Sequence, residues 1–328
     1  MNTSKRVFVI GATGTIGRAT VQALIRQGHD VVCFIRDRSE KKSSTKPEPF
    51  FEGASIRYGD VSDPQSINEQ GLKGEKFDVL VSCLASRTGA PKDAWAIDYQ
   101  AHMHVLEAAK EARVAHFILL SAICVQKPLL AFQHAKLAFE KALMASGLTY
   151  SIVRPTAFFK SLSGQIERVK KGQPFLLFGD GRLTACKPIS DTDLGDFIAD
   201  CIHDQQRHHR ILPIGGPGAA ITPKEQGEKL FALLGKEERF KQVPVALLDV
   251  IIFVLSVLGR LIPALADKAE LARIGRYYAT ESMLVWDPQK SDYDASATPS
   301  TGEETLFDYY AELIAGTADL ERGDHAVF

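Results

Sequence analysis

Short apolar runs alternate with helical apolar patterns through the first half of the chain. Residues 7–10 and 30–35 are two such runs, rich in the branched and aromatic side chains that favour strands. Between them, Val21, Leu24 and Ile25 recur at the spacing of one helix face. Apolar runs at residues 77–84 and 116–120, with a helical pattern from about residue 99 to 112, continue the alternation. This order predicts an α/β fold, here a Rossmann-type doubly wound parallel sheet.

A glycine-rich turn joins the first strand to the first helix, with the spacing Gly-x-x-Gly-x-x-Gly. Glycines let the backbone approach a pyrophosphate, and the free N–H groups at a helix start stabilise its negative charge. Such a turn also occurs without a ligand, but its place between a strand and a helix, followed by a second strand, favours a dinucleotide site. The predicted cofactor contacts in this turn are Gly11, Thr13, Gly14, Thr15, Ile16 and Gly17.

Two arginines, Arg36 and Arg38, follow the second strand. An acidic residue here usually binds the ribose of NAD, whereas arginine accommodates the extra phosphate of NADP. These arginines therefore favour NADPH, the alternative being a solvated charged loop. Further contacts are expected at the carboxyl ends of later strands, where a doubly wound sheet binds its ligands. They are Asp60, Val61, Leu84, Ala85, Ser86, Pro155, Ala157 and Phe158.

The length of 328 residues allows one wrapped α/β unit and a smaller lobe. We predict an NADP-binding domain over residues 1–156, joined by a later strand near residues 211–214. Residues 157–328 are predicted to form mainly a substrate-binding lobe at the carboxyl edge of the sheet.

The overall composition favours a small-molecule partner. With 39 basic and 40 acidic residues, the formal charge of −1 creates no general attraction to nucleic acid or to an anionic membrane. Five scattered cysteines predict buried thiols in a reducing compartment, and a strand that begins close to Met1 predicts no signal peptide, so we expect cytoplasmic residence. No metal site is predicted: His102 and His104 lie on different helix faces and are interpreted as surface residues, and Asp191, Asp193 and Asp196 as capping or solvated residues.

The helix after the fifth strand carries the candidate chemistry. Short-chain dehydrogenases place a Tyr-x-x-x-Lys pair here, but this chain has Phe132 and Lys136. Lys136 is predicted to bind the ribose and to be the catalytic residue, the alternative being a surface lysine. Ketone reduction needs a positioned O–H donor for the alkoxide, whereas reduction of a conjugated C=C spreads the charge over a π-system. The missing tyrosine therefore favours reduction of an alkene.

Longer runs resemble one family throughout the chain: residues 120–136, 150–162, 178–181, 185–190, 212–218, 274–279 and 281–283. They strongly resemble the divinyl chlorophyllide a 8-vinyl-reductases, NADPH-dependent atypical short-chain dehydrogenases of chlorophyll and bacteriochlorophyll synthesis. The resemblance implies reduction to ethyl of the 8-vinyl group of 3,8-divinyl chlorophyllide a or its protochlorophyllide precursor. We expect hydride to add at the terminal vinyl carbon and a proton to come from Lys136 or from water that it orders. The predicted substrate contacts are Cys124, Phe132 and Phe159, with Phe158 and Phe175 as further candidates.

Other functions stay open on the sequence. The chain could reduce another conjugated alkene or a benzylic ether, or bind NADPH without catalysis as a sensor or assembly factor. Residues 243–266 are strongly apolar, with Asp249 and Arg260 bracketing an uncharged stretch too short to span a membrane. We favour a buried helix pair ended by Pro263 over an interfacial patch that contacts a membrane or admits a pigment.

Overall fold

The computed structural model describes residues 3–37 and 51–317. Seven parallel strands form one sheet in the order β3-β2-β1-β4-β5-β6-β8. This order confirms the predicted doubly wound fold. The strands are β1 (Arg6–Ile10), β2 (Asp30–Ile35), β3 (Ser55–Tyr58), β4 (Val79–Ser82), β5 (His116–Leu120), β6 (Thr149–Pro155), β7 (Phe175–Phe178), β8 (Arg210–Ile214), β9 (Phe240–Val243), β10 (Val285–Asp287) and β11 (Asp292–Asp294).

Helices cover both faces of the sheet. The predicted helix near residues 99–112 begins earlier than expected, because a turn starting at Pro91 leads into it through π-helical turns over Trp95–Ala101. The helices are α1 (Thr15–Arg26), α2 (Pro64–Ser66), α3 (Pro91–Ala94), α4 (His102–Glu111), α5 (Ala131–Met144), α6 (Phe159–Leu162), α7 (Ile166–Lys170), α8 (Asp191–Asp200), α9 (Pro223–Leu233), α10 (Val245–Gly259), α11 (Pro263–Thr280) and α12 (Leu306–Ala315).

Alternation along the strands divides the core into two layers. Successive side chains of a strand point to opposite faces, so Val7 and Val9 pack towards α1 and α8. Phe8 and Ile10 pack towards α4 and α5 on the other face. All four side chains are fully buried, which fixes the carboxyl end of β1 in the centre of the sheet.

The second half of the chain contributes to both the sheet and a separate core. Strand β8 extends the sheet beside β6, and α8 packs on α1. Strands β7 and β9 pair with each other, and a further cluster gathers Phe175, Phe231 and Tyr310 from three different elements. The domain boundary at residue 156 stays a prediction. Strand β8 and helix α8 lie beyond it in the chain but belong to the sheet and to the helix layer on it.

Helices α10 and α11 form a hairpin, and the exposure of α10 shows that the burial predicted for residues 243–266 was wrong. No residue of α10 is buried, and α10 packs mainly against α11. Pro263 begins α11, where its missing N–H has no partner to lose, and does not end a helix as predicted. Within the described residues, no helix has both the length and the apolar character needed to span a bilayer.

The cysteines agree with the prediction of unpaired thiols. All five are free, and Cys33, Cys124 and Cys201 are buried. Burial raises the pKa of Cys33, Cys83, Cys186 and Cys201 to about 12, so these thiols stay protonated at neutral pH.

Candidate functional site

The glycine turn at the end of β1 combines close packing with open space. A Cβ at Gly11, whose φ is +72°, would lie 2.4 Å from the backbone of Cys83 and Leu84, and one at Gly17 would lie 2.1 Å from the Gly11 oxygen. At Gly14 the nearest atom to an added Cβ is the Gly11 oxygen, at 3.5 Å. Packing therefore requires glycine at positions 11 and 17, whereas position 14 borders space that the protein leaves open. Open space beside the backbone at Gly14 lets a pyrophosphate come close to the turn.

Helix α1 begins at this open space with a positive end. Gly14 is its N-cap, no side chain caps it, and its first turn has no acidic residue. The Lys160 ammonium donates a hydrogen bond of 3.2 Å to the Thr15 hydroxyl, which brings a cation to the same end. Thr13 is exposed, whereas Ile16 points into the core and can offer a ligand only its backbone. The donor set fits the phosphates of a dinucleotide.

The predicted ribose-phosphate corner lies at the end of β2. Hydrogen bonds from Ser62, with a smaller effect of nearby Arg36, hold the pKa of Asp60 below its usual value. Arg36 and Asp60 are therefore at the same edge of the sheet. Val61 is partly buried and packs against the core layer that contains Phe8. Arg38 lies outside the described residues.

The remaining predicted cofactor residues lie where β4 and β6 end. Leu84 is half-buried and Ala85 is exposed, whereas Ser86 is buried and donates its backbone N–H to the Asp98 carboxylate at 3.2 Å. Pro155, the last residue of β6, is buried, and the Ala157 carbonyl that follows it accepts from Ile189 N–H. Phe158 packs partly against the cluster that contains Ile16, so it faces the same side as the glycine turn.

Lys136 forms an ion pair at the centre of this edge. Its Nζ lies 2.9 Å from Asp98 Oδ1, and the exposed fractions of the two side chains are 13% and 0%. The other carboxylate oxygen, Asp98 Oδ2, is buried without a hydrogen-bond partner. The pair joins α5 to the π-helical turn before α4, and the lysine is not the freely solvated surface residue of the alternative interpretation.

A buried histidine near this pair corrects one prediction. His102 is 1% exposed, not a surface residue, and contacts the Ser82 hydroxyl and the Ile97 carbonyl, both at 2.8 Å. Burial lowers its pKa to about 4, and the positive charge of Lys136 adds to that effect. His102 is therefore neutral at pH 7, with Nδ1 donating to Ile97 and Nε2 accepting from Ser82.

An apolar cluster with two tyrosines lies beside Lys136. Phe132 and Cys124 are 9% and 2% exposed and pack with side chains of α11. The Tyr277 hydroxyl donates to the carbonyls of Cys124 and Lys127, whereas the Tyr278 hydroxyl lies 4.0 Å from Cys124 Sγ. Burial raises the pKa of Tyr278 well above its ordinary value, so this phenol stays protonated.

Phe159, a predicted substrate contact, packs in a core cluster formed by the second half of the chain. It is 4% exposed and packs in the cluster of β7, α9 and α12, with its ring centroid 5.6 Å from that of Tyr309. Phe175 belongs to the same cluster. Both rings therefore fill the same core. Their role as substrate contacts stays a prediction.

Asp191 also differs from its prediction. It was interpreted as a capping or solvated residue, but Ser190 caps α8 and Asp191 Oδ1 is buried without a partner. Burial raises the pKa of Asp191 to about 6, against the opposing effect of Lys160. Asp196 is paired with Arg26, and Asp193 accepts the backbone N–H groups of Glu303 and Glu304.

Sequence reasoning missed three groups that the fold brings to the site: Asp98, Lys160 and Tyr278. Lys160 was within a run that resembles the family, which was an available indication. Tyr278 was within such a run as well, at residues 274–279, whereas Asp98 offered none, because its partner lies 38 positions away.

The comparisons with known proteins agree with this geometry. A family model described as NAD(P)H-binding matches residues 11–205. The divinyl chlorophyllide a 8-vinyl-reductase, chloroplastic, of Zea mays is 50% identical over 331 residues, which cover 98% of this chain and 82% of that protein. The protein of the same name from Cucumis sativus is also 50% identical, over 98% of this chain and 79% of that protein.

Two solved structures share the fold over nearly the whole chain. The NADPH-dependent quinone oxidoreductase QOR2 from Escherichia coli, complexed with NADPH, has a TM-score of 0.64 at 19% identity, covering 94% of this chain and 99% of that one. The structure described as AtPrR2 with NADP+ and (+)pinoresinol has a TM-score of 0.70 at 17% identity, covering 95% and 99%. At these identities the likeness shows the fold alone.

Proposed function

Since the chain belongs to the family of divinyl chlorophyllide a 8-vinyl-reductases, we propose that it uses NADPH to reduce the 8-vinyl group of 3,8-divinyl chlorophyllide a, or of its protochlorophyllide precursor, to ethyl. The observation that carries the proposal is the 50% sequence identity to the Zea mays protein over 98% of this chain. The site agrees with it, because a lysine lies at the carboxyl edge of the sheet and a phenylalanine takes the usual place of a tyrosine.

The residues around the glycine turn fit the cofactor. Gly14 leaves space for a pyrophosphate, α1 and Lys160 supply positive charge, and Arg36 lies at the ribose corner where a 2′-phosphate would bind. We assign to Lys136 the binding of the nicotinamide ribose. NADPH, when bound, supplies the hydride that the reduction needs.

Reduction of a vinyl group adds a hydride and a proton across the C=C bond. The negative charge left by hydride addition is delocalised over the conjugated macrocycle of the substrate, so no buried hydroxyl is needed to stabilise an alkoxide. The proton goes to the adjacent carbon from the Lys136 ammonium, which Asp98 holds in place. The partly exposed lysine then recovers a proton from water. Tyr278 is a poor acid in its buried position, so we assign the proton to Lys136.

The decisive assay mixes the purified protein with NADPH and a divinyl pigment. Loss of the vinyl group from conjugation should shift the Soret band of the pigment to shorter wavelength. A folded protein that binds NADPH but gives no shift with chlorophyllide or protochlorophyllide would contradict the proposal. It would favour reduction of another conjugated substrate or a non-catalytic role.

The assignment of the proton donor has its own test. Lys136→Ala should lower kcat/KM at least about a hundredfold, the usual contribution of general acid catalysis, whereas Tyr278→Phe should stay within a few-fold of wild type. The two variants are matched because both residues border the same cluster. If Tyr278→Phe were the inactive variant, the phenol of α11 would be the donor.

We further propose that the protein meets its pigment at a membrane surface. A flat, largely apolar macrocycle partitions into lipid, and the exposed helix α10 supports such a contact. The pigment, not nucleic acid, is the proposed partner.

A further inference from the structure

The apolar surface of this protein is concentrated on one hairpin. Ten of the sixteen exposed large hydrophobic side chains among the described residues lie between Leu247 and Leu271. They expose on the order of 1,000 Å² in total, against roughly 300–600 Å² for the largest patch of a typical monomer. The hairpin face, as we name it, consists of Leu247, Val250, Ile251, Phe253, Val254, Val257 and Leu258 of α10 with Leu261 and Ile262 of the following turn.

The polar groups of α10 are turned away from this face. Asp249 pairs with Arg276 of α11, and the Ser256 hydroxyl accepts a hydrogen bond of 2.7 Å from Arg273. Gly259 lets α11 approach closely, since an added Cβ would lie 2.9 Å from Ala266 N. At 3.6 residues per turn, the hairpin face covers about 160° of the helix circumference without a polar side chain. A helix that is apolar almost all round is thus exposed over nearly half of its circumference, where such helices are usually buried.

The shape and composition of this face fit lipid better than protein. The exposed side chains spread around nearly half of α10 and continue into the following turn, where Leu261 is 84% exposed, so one flat surface could not cover them all. Phe253 is the single aromatic side chain of the face, whereas protein interfaces concentrate binding energy in Trp, Tyr and Arg. A fluid bilayer can surround all sides of an aliphatic ridge. With 15 residues, α10 is about 22 Å long, which suits a helix lying in the interface.

We propose that the hairpin face inserts into the interfacial layer of a lipid bilayer and holds the substrate site beside it. Arg260, Asp267 and Lys268 lie near the turn in sequence and are exposed, so their charged groups can remain among the headgroups. The other end of α11 carries Ile274 and Tyr277 into the cluster with Phe132. One helix therefore connects the membrane contact to the site. The inference rests on the proposed function for the apolar nature of the substrate.

Vesicle flotation tests the contact directly. Wild-type protein should float with phosphatidylcholine vesicles, and raised salt should not release it, because the contact is mainly apolar. The triple variant Val250→Gln, Phe253→Gln, Leu261→Gln should need at least tenfold more lipid for half-maximal binding. Leu183→Gln is the matched control, since Leu183 is 53% exposed but lies outside the hairpin. Binding only to vesicles with added phosphatidylglycerol, and lost in salt, would overturn the apolar insertion.

Insertion depth and self-association provide further discrimination. Brominated lipid should quench the fluorescence of the Phe253→Trp variant more strongly than that of wild type, whose signal comes from Trp95 and Trp286. The Leu183→Trp variant should be quenched no more than wild type. If wild type does not float and sedimentation shows a dimer that the triple variant dissociates, the face is a contact between two copies and the proposal fails.

Pigment reduction separates this inference from the proposed function. With pigment in detergent micelles, the triple variant should keep wild-type activity, but with pigment in vesicles it should lose at least tenfold. A protein that floats yet reduces no pigment would contradict the proposed function while leaving the membrane contact in place.

Discussion

Single residues of the glycine turn separate packing from binding. Gly17 faces the Gly11 oxygen, whereas Gly14 borders open space and has an ordinary extended backbone with φ −72°. Gly14 and Gly17 are three positions apart in the chain, yet packing within the protein requires glycine only at position 17. Their substitutions should therefore affect different properties.

We predict that Gly14→Ala leaves the unfolding temperature within a few degrees of wild type but weakens NADPH binding at least tenfold, because the methyl group occupies the space of the pyrophosphate. Gly17→Ala should instead destabilise the fold by at least about 1–3 kcal/mol through the clash with Gly11. Fluorescence titration with NADPH and thermal denaturation measure the two effects. Unchanged NADPH affinity in Gly14→Ala would show that the pyrophosphate binds elsewhere.

Asp98 is predicted to act as a positioning residue through Lys136. Asp98→Asn keeps an oxygen for the Ser86 N–H but removes the charge that holds the ammonium, so kcat/KM should fall about tenfold. When Lys136 is already alanine, the same substitution should cost no further activity, because the two residues act as a unit. Asp93→Asn, which alters an exposed carboxylate on α3, is the control. Additive losses in the double variant would refute the coupling.

At the scale of elements, the contact between α1 and α8 holds the cofactor helix in place. Gly195 of α8 lies against α1, where an added Cβ would be 2.7 Å from the backbone of Ala19. The helix axes can approach this closely only because the position has no side chain. A residue far along the chain thus sets the position of the helix that begins at the glycine turn.

Gly195→Ala should consequently lower the free energy of unfolding by about 1–3 kcal/mol. Gly275→Ala in α11 is the matched control, because an added Cβ there meets no atom within 4 Å. Removing a helical glycine should stabilise the control by about 0.5–1 kcal/mol. Urea denaturation measures both changes; equal midpoints for the two variants would contradict the packing argument.

At the scale of the whole molecule, buried charges make stability depend on pH. Asp191 is surrounded by groups of three other regions: Lys160 of α6, Glu304 before α12, and Tyr309 within α12. Burial raises its pKa from 3.8 to about 6, so the folded state holds this proton more tightly than the unfolded state. The ionised Asp191 carboxylate, which predominates above about pH 6, therefore makes the folded state less stable than the protonated carboxyl does.

Asp191→Asn should stabilise the protein at pH 7, and the gain over wild type should disappear as the pH falls from about 6 to below 4. The sign follows from linkage: between these values the unfolded state binds fewer protons, so wild-type stability decreases with rising pH. Thermal unfolding of both proteins across this range gives the difference. Asp196→Asn, which removes an exposed partner of Arg26, should not show this dependence. A gain that persists at pH 4 would argue against a raised pKa.

The sequence by itself determined the order of strands and helices, the glycine turn and the place of Lys136, because these depend on periodicity and spacing within short segments. Tertiary structure decided which groups meet. Asp98 reaches Lys136, Lys160 reaches Thr15 and Tyr278 reaches Cys124 only through contacts between distant segments. It also decided that the apolar residues of α10 are exposed and that Phe159 is buried. Hydrophobicity indicates that a side chain favours leaving water, but only the packed fold determines whether a core, a substrate or a membrane receives it.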